Sequence, residues 1–126
     1  MAVTPHDLVV EAKSQIKEVS TAEAQALMTK RTIIDVREYD EYAAGHLPGA
    51  INIPRGVLEF KIGTVGECAD KGKPYLIYCR TSGRAALSTV QLQKIGYSDL
   101  ISMAGGFEVW NTEGRPTEKP EPINFE

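Results

Sequence analysis

No apolar run in the 126 residues approaches the roughly 20 needed to span a bilayer, and no basic stretch followed by an apolar one opens the chain. The first absence argues against a membrane protein and the second against an export signal, so a cytoplasmic location is expected. Cysteine is scarce as well. Cys68 and Cys79 are the only two, no C-x-x-C pair is present, and His6 and His46 stand apart, so neither a disulfide framework nor a metal site is expected and a reducing compartment is the simpler setting. Positive charge is not in excess: a net charge of −3 and a pI near 5.4 leave a field weakly repulsive to phosphate, against nucleic-acid or acidic-membrane partners. Internal repeats are absent too. What remains, with 42% hydrophobic residues, suits one domain with one core.

The stretch around which the chain is organised is YLIYCRTSGRAAL, residues 75–87. Strand-forming Tyr75-Leu76-Ile77-Tyr78 delivers Cys79 at its carboxyl end, a short polar loop of Arg80, Thr81, Ser82, Gly83 and Arg84 follows, and helical spacing begins at Ala85. A strand, a tight loop and a helix N-terminus make a cup of backbone N–H groups suited to an anion, because first-turn amides lack intrahelical acceptors and carry the positive end of the helix dipole. The anion here is the sulfur of Cys79. Helix N-termini and neighbouring arginines lower a thiol's pKa from about 8.5, so Arg80 and Arg84 predict an easily ionised, nucleophilic cysteine. A buried small hydrophobe is the plainer reading of any cysteine. It needs neither two arginines nor a polar loop.

Residues 1–15 read as an N-terminal helical arm, with Pro5 suited to a first turn and Leu8, Val9, Ala12 and Ile16 at helical spacing; it is expected to lie on the surface of a domain over 16–114. Ser20 and Glu23 have capping-box spacing, opening a helix to about Thr29. The β-branched run 32–36 reads as a strand covered on both faces, ending at Asp35 and Arg37, where ligands of open α/β sheets bind; both residues are expected to pair with neighbours and brace the site. A short helix over 38–44 stops at Gly45, and Ile51-Asn52-Ile53 forms a short strand halted by Pro54. His46, between them, is either a general base for Cys79 or a histidine holding the turn through its ring; a base belongs at the mouth of the site, which favours the second. Residues 55–62 look helical, and 63–73 form a polar connector carrying Cys68 between acidic residues that disfavour its thiolate, so it reads as a bystander more readily than as a resolving cysteine. Helical spacing over 85–95 buries Leu87, Val90, Leu92 and Ile95; a strand covers 99–102; a turn at 104–107 leads to a last short helix in which Trp110 serves as core anchor more readily than as a stacking surface for substrate. Residues 115–126, with three prolines, read as an extended tail. Short strands alternating with helices predict an α/β fold with a parallel sheet.

Three stretches resemble the rhodanese-like domain family across nearly the whole chain. Asp35-Val36-Arg37 with Tyr42-Ala43-Ala44-Gly45-His46-Leu47-Pro48-Gly49-Ala50-Ile51-Asn52-Ile53 is similar to its N-terminal signature, and the Cys79–Arg84 loop is similar to its active-site loop in place and length. Ala104-Gly105-Gly106-Phe107-Glu108-Val109-Trp110 is similar to its C-terminal signature, with Val109 where a Glu is usual, Met103 where an aromatic is usual and Leu100 where a smaller residue is usual. These departures concern packing. The resemblance implies a three-layer domain, a five-stranded parallel sheet with helices on both faces. It also implies sulfur transfer through a persulfide on Cys79, with no metal or organic cofactor.

On this reading, Cys79 takes the outer sulfur of a small anionic donor such as thiosulfate and passes it to cyanide, a thiol or a partner protein's cysteine. The amides of residues 80–84 steady anionic sulfur, and Arg80 and Arg84 attract the donor and the departing sulfite, unless they are solvated surface charges. Sulfite leaves without a proton, so no positioned acid is required. Phosphatase or arsenate reductase activity is the rival within enzymes, but only four residues separate Cys79 from Arg84, a ring too short for a tetrahedral oxyanion, and Tyr78 rather than a histidine precedes the cysteine. A regulatory binding module, or a carrier handing sulfur between proteins, is the alternative of another class.

Overall fold

β-Branched and aromatic runs too short to be helices alternate with capped helical stretches, and each strand therefore finds its partner only after a helical crossover. The structure, a computed structural model, describes residues 2–120. Strands β1 (Glu18–Val19), β2 (Thr32–Asp35), β3 (Ile51–Asn52), β4 (Pro74–Tyr78) and β5 (Asp99–Met103) form one parallel sheet in the order β1-β5-β4-β2-β3. Helices α1 (Pro5–Lys13), α2 (Thr21–Leu27), α3 (Tyr39–Ala44), α4 (Leu58–Lys61), α5 (Gly83–Lys94) and α6 (Gly106–Thr112) surround it.

Because successive strand residues face opposite sides, Ile33 and Leu76 enter one core layer and Ile34 and Ile77 the other. The first layer includes Ala24 of α2 and Trp110 of α6; the second includes Leu58 of α4 and Ala85 and Leu92 of α5. A small third cluster joins Ala12 of α1 to Ala86 and Val90, so α5 is covered on two sides. For that reason its buried face is wider and smaller-chained than the spacing predicts: Ala85, Ala86, Ser88, Thr89, Val90 and Leu92 are buried, whereas Leu87 and Ile95 are partly exposed.

Several boundaries differ from expectation. Helix α2 ends at Leu27, and α5 begins at Gly83, inside the stretch read as loop. The helix expected over 55–62 divides into a 3-10 turn, Arg55–Val57, and α4, with further 3-10 turns at Ile62–Thr64 and Gly66–Cys68. The beginning of the expected tail is tied down: His46 and Glu118 exchange backbone hydrogen bonds of 2.9 Å each, and Glu118 Oε1 accepts from the Gly49 N–H at 2.7 Å. Residues 121–126 lie outside the described residues. His46 itself is buried, stacked on Tyr42 with ring centroids 3.8 Å apart, its Nδ1 3.0 Å from the Tyr42 carbonyl. It holds the turn. Cys68 is fully buried, and burial together with Glu67 pushes its thiol up to about 11. Among the described residues no helix is long and apolar enough to cross a membrane.

Trp110 is completely buried and its indole N–H donates to the Pro116 carbonyl at 2.8 Å, so it anchors α6 and the beginning of the tail together. Trp110→Ala is expected to destabilise the fold by about 3–5 kcal/mol, read as a lowered midpoint in urea unfolding.

Candidate active site

The site lies beyond the carboxyl ends of β2 and β4, which pair with Asp35 opposite Tyr78 and so bring residues 35–37 level with the cysteine loop. Cys79 leaves β4, and the chain reaches the first turn of α5 in four residues. The Ala85 N–H donates to Cys79 Sγ at 3.3 Å, and the Thr81 and Arg84 N–H groups also favour the thiolate. Of the amides expected at residues 80–84, those of Thr81 and Arg84 thus face the sulfur, and they are joined by Ala85, one residue beyond that span. The loop's outer wall is the N-terminus of α6, where the Phe107 and Glu108 N–H groups donate to the carbonyls of Cys79 and Arg80 at 2.8 and 2.9 Å. Gly106, at φ +62°, sits so close to the loop that a Cβ would lie 2.3 Å from the Thr81 carbonyl oxygen and 2.5 Å from that of Arg80.

Two expectations about the cysteine's charge need correction. Cys79 is only 1% exposed, and burial raises its thiol pKa despite the opposing amides and the nearby Arg84 charge. A loop this short closes directly around the sulfur and removes the water that would solvate its charge. The arginines, moreover, are not free cations. Arg84 forms a two-pronged pair with Glu41 of α3, at 2.8 and 3.0 Å, and Arg80, 69% exposed on its side chain, lies 3.5 Å from Glu108. Arg84 therefore ties the loop to α3, while the Arg80 pair is open to solvent and correspondingly weak.

Asp35 and Arg37 are both buried and form an ion pair, with Arg37 Nη2 2.7 Å from Asp35 Oδ2 and also donating to the Gly45 carbonyl at 2.7 Å. The Tyr78 hydroxyl donates to the same carboxylate at 2.7 Å and accepts from the Leu47 N–H; burial, reinforced by Asp35, pushes the phenol far up and keeps it a neutral donor. The Arg37 guanidinium lies 4.4 Å from the centre of the Phe107 ring. This buried network joins β2, β4, the His46 turn and α6 behind the loop. Beside the loop, Arg37, Glu41, Arg80, Phe107 and Glu108 line an open cleft of about 450 Å³.

Thr81, Ser82 and Gly83 contribute backbone to the loop, Thr81 with its side chain exposed and Ser82 as the residue before the first turn of α5. Sequence reasoning missed Glu41, Glu108, Tyr78, Phe107 and Gly106 as site residues. The pairing of Glu41 with Arg84 spans 43 positions and leaves no local trace; Gly106 was legible only as a turn glycine.

The Gly106→Ala variant is expected to lose at least about 3 kcal/mol in denaturant unfolding, since either the loop carbonyls or α6 must move. Arg84 holds the Glu41 carboxyl down to about 2. A depressed folded-state pKa gives stability that is complete above the unfolded value of about 4.3 and disappears as pH falls towards about 2. Thermal midpoints between those limits should consequently fall more steeply for the wild type than for Glu41→Gln.

The rhodanese-like domain family matches residues 20–113. A thiosulfate sulfurtransferase GlpE from Coxiella burnetii is 37% identical over 97 residues, covering 75% of this chain and 86% of that one. Among solved structures, a polysulfide-sulfur transferase homodimer from Wolinella succinogenes is 31% identical with a TM-score of 0.75, over 90% of this chain and 85% of that one. A Rhodopseudomonas palustris protein described as of unknown function and a possible tyrosine phosphatase is 30% identical with a TM-score of 0.82, over 94% of this chain and 96% of the other. The organisation of sheet, loop and signatures agrees with these likenesses, and the chain belongs to the rhodanese-like domain family.

Proposed function

We propose that the protein is a sulfurtransferase that carries a sulfane sulfur on Cys79. The observation that carries this reading is the Cys79 sulfur held against the Ala85 amide inside a four-residue loop at the head of α5. The sulfurtransferase names of the relatives from Coxiella burnetii and Wolinella succinogenes support it.

The thiol first releases its proton to solvent. Cys79 thiolate then attacks the outer sulfur of thiosulfate or a similar small anionic donor; the Sγ–S bond forms, the S–S bond of the donor breaks, and its electron pair leaves with sulfite. The outer sulfur of the resulting persulfide carries the negative charge. In the second half, cyanide, a small thiolate or a partner protein's cysteine attacks that outer sulfur, and Sγ departs as thiolate. Fixed amides stabilise the charge at both stages without reorganising. No metal or organic cofactor takes part in these steps.

Phosphoryl transfer fits less well. The loop closes on the sulfur itself, with the Ala85 N–H 3.3 Å from Sγ and four residues between Cys79 and Arg84, one fewer than the ring that cradles a tetrahedral oxyanion. With Arg84 engaged by Glu41, the guanidinium such an oxyanion would need is also taken.

Thiosulfate treatment followed by intact-mass measurement should add one sulfur atom to the wild type and none to Cys79→Ser. Phosphoryl turnover with no sulfur gained would overturn the reading. Because burial raises the thiol pKa, the loading rate should climb with pH through and beyond the ordinary thiol value of about 8.5.

A further inference from the structure

The helices α1 and α2 begin in the ordinary way. Thr4 accepts from the N–H of Asp7 and Ser20 from that of Glu23, in each case the third residue of the helix. Helix α5 also has a serine before its first turn, Ser82, yet the Ser82 side chain makes no cap hydrogen bond. The third amide of this helix, Ala85 N–H, goes to Cys79 Sγ instead. Sulfur has taken the place of the hydroxyl.

What occupies the hydroxyl is Lys13. Its Nζ donates to Ser82 Oγ at 2.8 Å, across 69 positions, from the last turn of α1. Ser82 has φ −161° and ψ −19°, in contrast to the extended ψ of 162° and 167° at Thr4 and Ser20. The loop is therefore held away from capping geometry at the residue Lys13 grips. Helix α1 is fixed there by Ala12 against Ala86 and Val90, and by Val9, which leaves only 3.3 Å for a Cβ at Gly83. All of these α1 contacts come from ahead of residues 20–113, the span matched by the family.

We infer that Lys13 is a positioning residue for Cys79: by holding the Ser82 hydroxyl outward, it prevents that serine from reclaiming the Ala85 amide and so reserves the amide for sulfur. A serine oxygen is a better acceptor than a neutral thiol, so without Lys13 the loop relaxes towards an ordinary cap. The thiolate then loses an N–H partner while the helix loses nothing. This deepens the proposed function, since it concerns the same cysteine, but it makes a separate statement about thiol ionisation.

The charged groups gathered on the loop are Arg84 with Glu41, Arg80 with Glu108, Asp35 with Arg37, and Lys13, which also lies 3.6 Å from Glu18. Of these charged groups, only Lys13 is altered in the test. The pH profile of iodoacetamide alkylation, scored by mass on the Cys79 peptide, is measured for the wild type, Lys13→Met, Ser82→Ala and Lys13→Met/Ser82→Ala, with a thermal midpoint for each. Lys13→Met should alkylate about three- to tenfold more slowly at neutral pH, its profile moved to higher pH, with the thermal midpoint showing that the variant is still folded. The double variant should alkylate faster than Lys13→Met and at the same rate as Ser82→Ala, because alanine cannot compete for the amide. An unchanged rate in Lys13→Met overturns the inference. So does a double variant as slow as Lys13→Met, which would mean the ammonium acts by its charge alone. If the alkylation pattern holds but thiosulfate adds no sulfur to the wild type, the sulfurtransferase reading falls and the role of Lys13 stands.

Discussion

The structure depends on where the peptide groups of the cysteine loop point. Every peptide unit offers an N–H on one side and a C=O on the other, so a loop whose amides face inward must dispose of its carbonyls outward. Here the first two are taken by the N-terminal amides of α6, through Phe107 and Glu108. Those amides are themselves without intrahelical partners, so each of two elements supplies what the other lacks. Gly106 is what lets the two backbones approach, since any side chain there would collide with the loop.

With the loop's direction settled in this way, the site relies on dipoles more than on net charge. Arg80 and Arg84 each have a carboxylate partner, and Arg37 is neutralised by Asp35 behind the loop. Burial raises the thiol pKa while the amides lower it, and burial is the larger effect. Burial keeps the resting thiol largely neutral, and the fixed donors act once the sulfur has become anionic. The buried Asp35–Arg37–Tyr78 network serves this arrangement indirectly: it holds the ends of β2 and β4 and, through the Phe107 ring, the N-terminus of α6.

The ends of the described chain are part of the same construction. Helix α1 reaches the loop from one side through Lys13, and Glu118 pins the His46 turn from the other. An arm and a tail that read as peripheral thus bear on the geometry around the site, because the loop lies beyond the carboxyl end of the central strand, β4, where segments flanking the sheet can reach it.

Local chemistry was legible without coordinates. Alternating short strands and helices specified a parallel α/β sheet, the serine and glutamate at 20 and 23 marked a helix start, and the polar loop after Tyr78 marked the cysteine, because strand period, capping and turn preference are properties of neighbouring residues. Pairings between distant residues were not legible. Glu41 with Arg84, Glu108 with Arg80, Lys13 with Ser82 and Gly106 against Thr81 join parts of the chain whose separation carries no period, and nothing near any of them in sequence names its partner. The charge state of Cys79 belongs with these. Sequence proximity to two arginines predicted an ionised thiol, but desolvation depends on what encloses the sulfur, and only the folded loop, closed against α5 and α6, decides that.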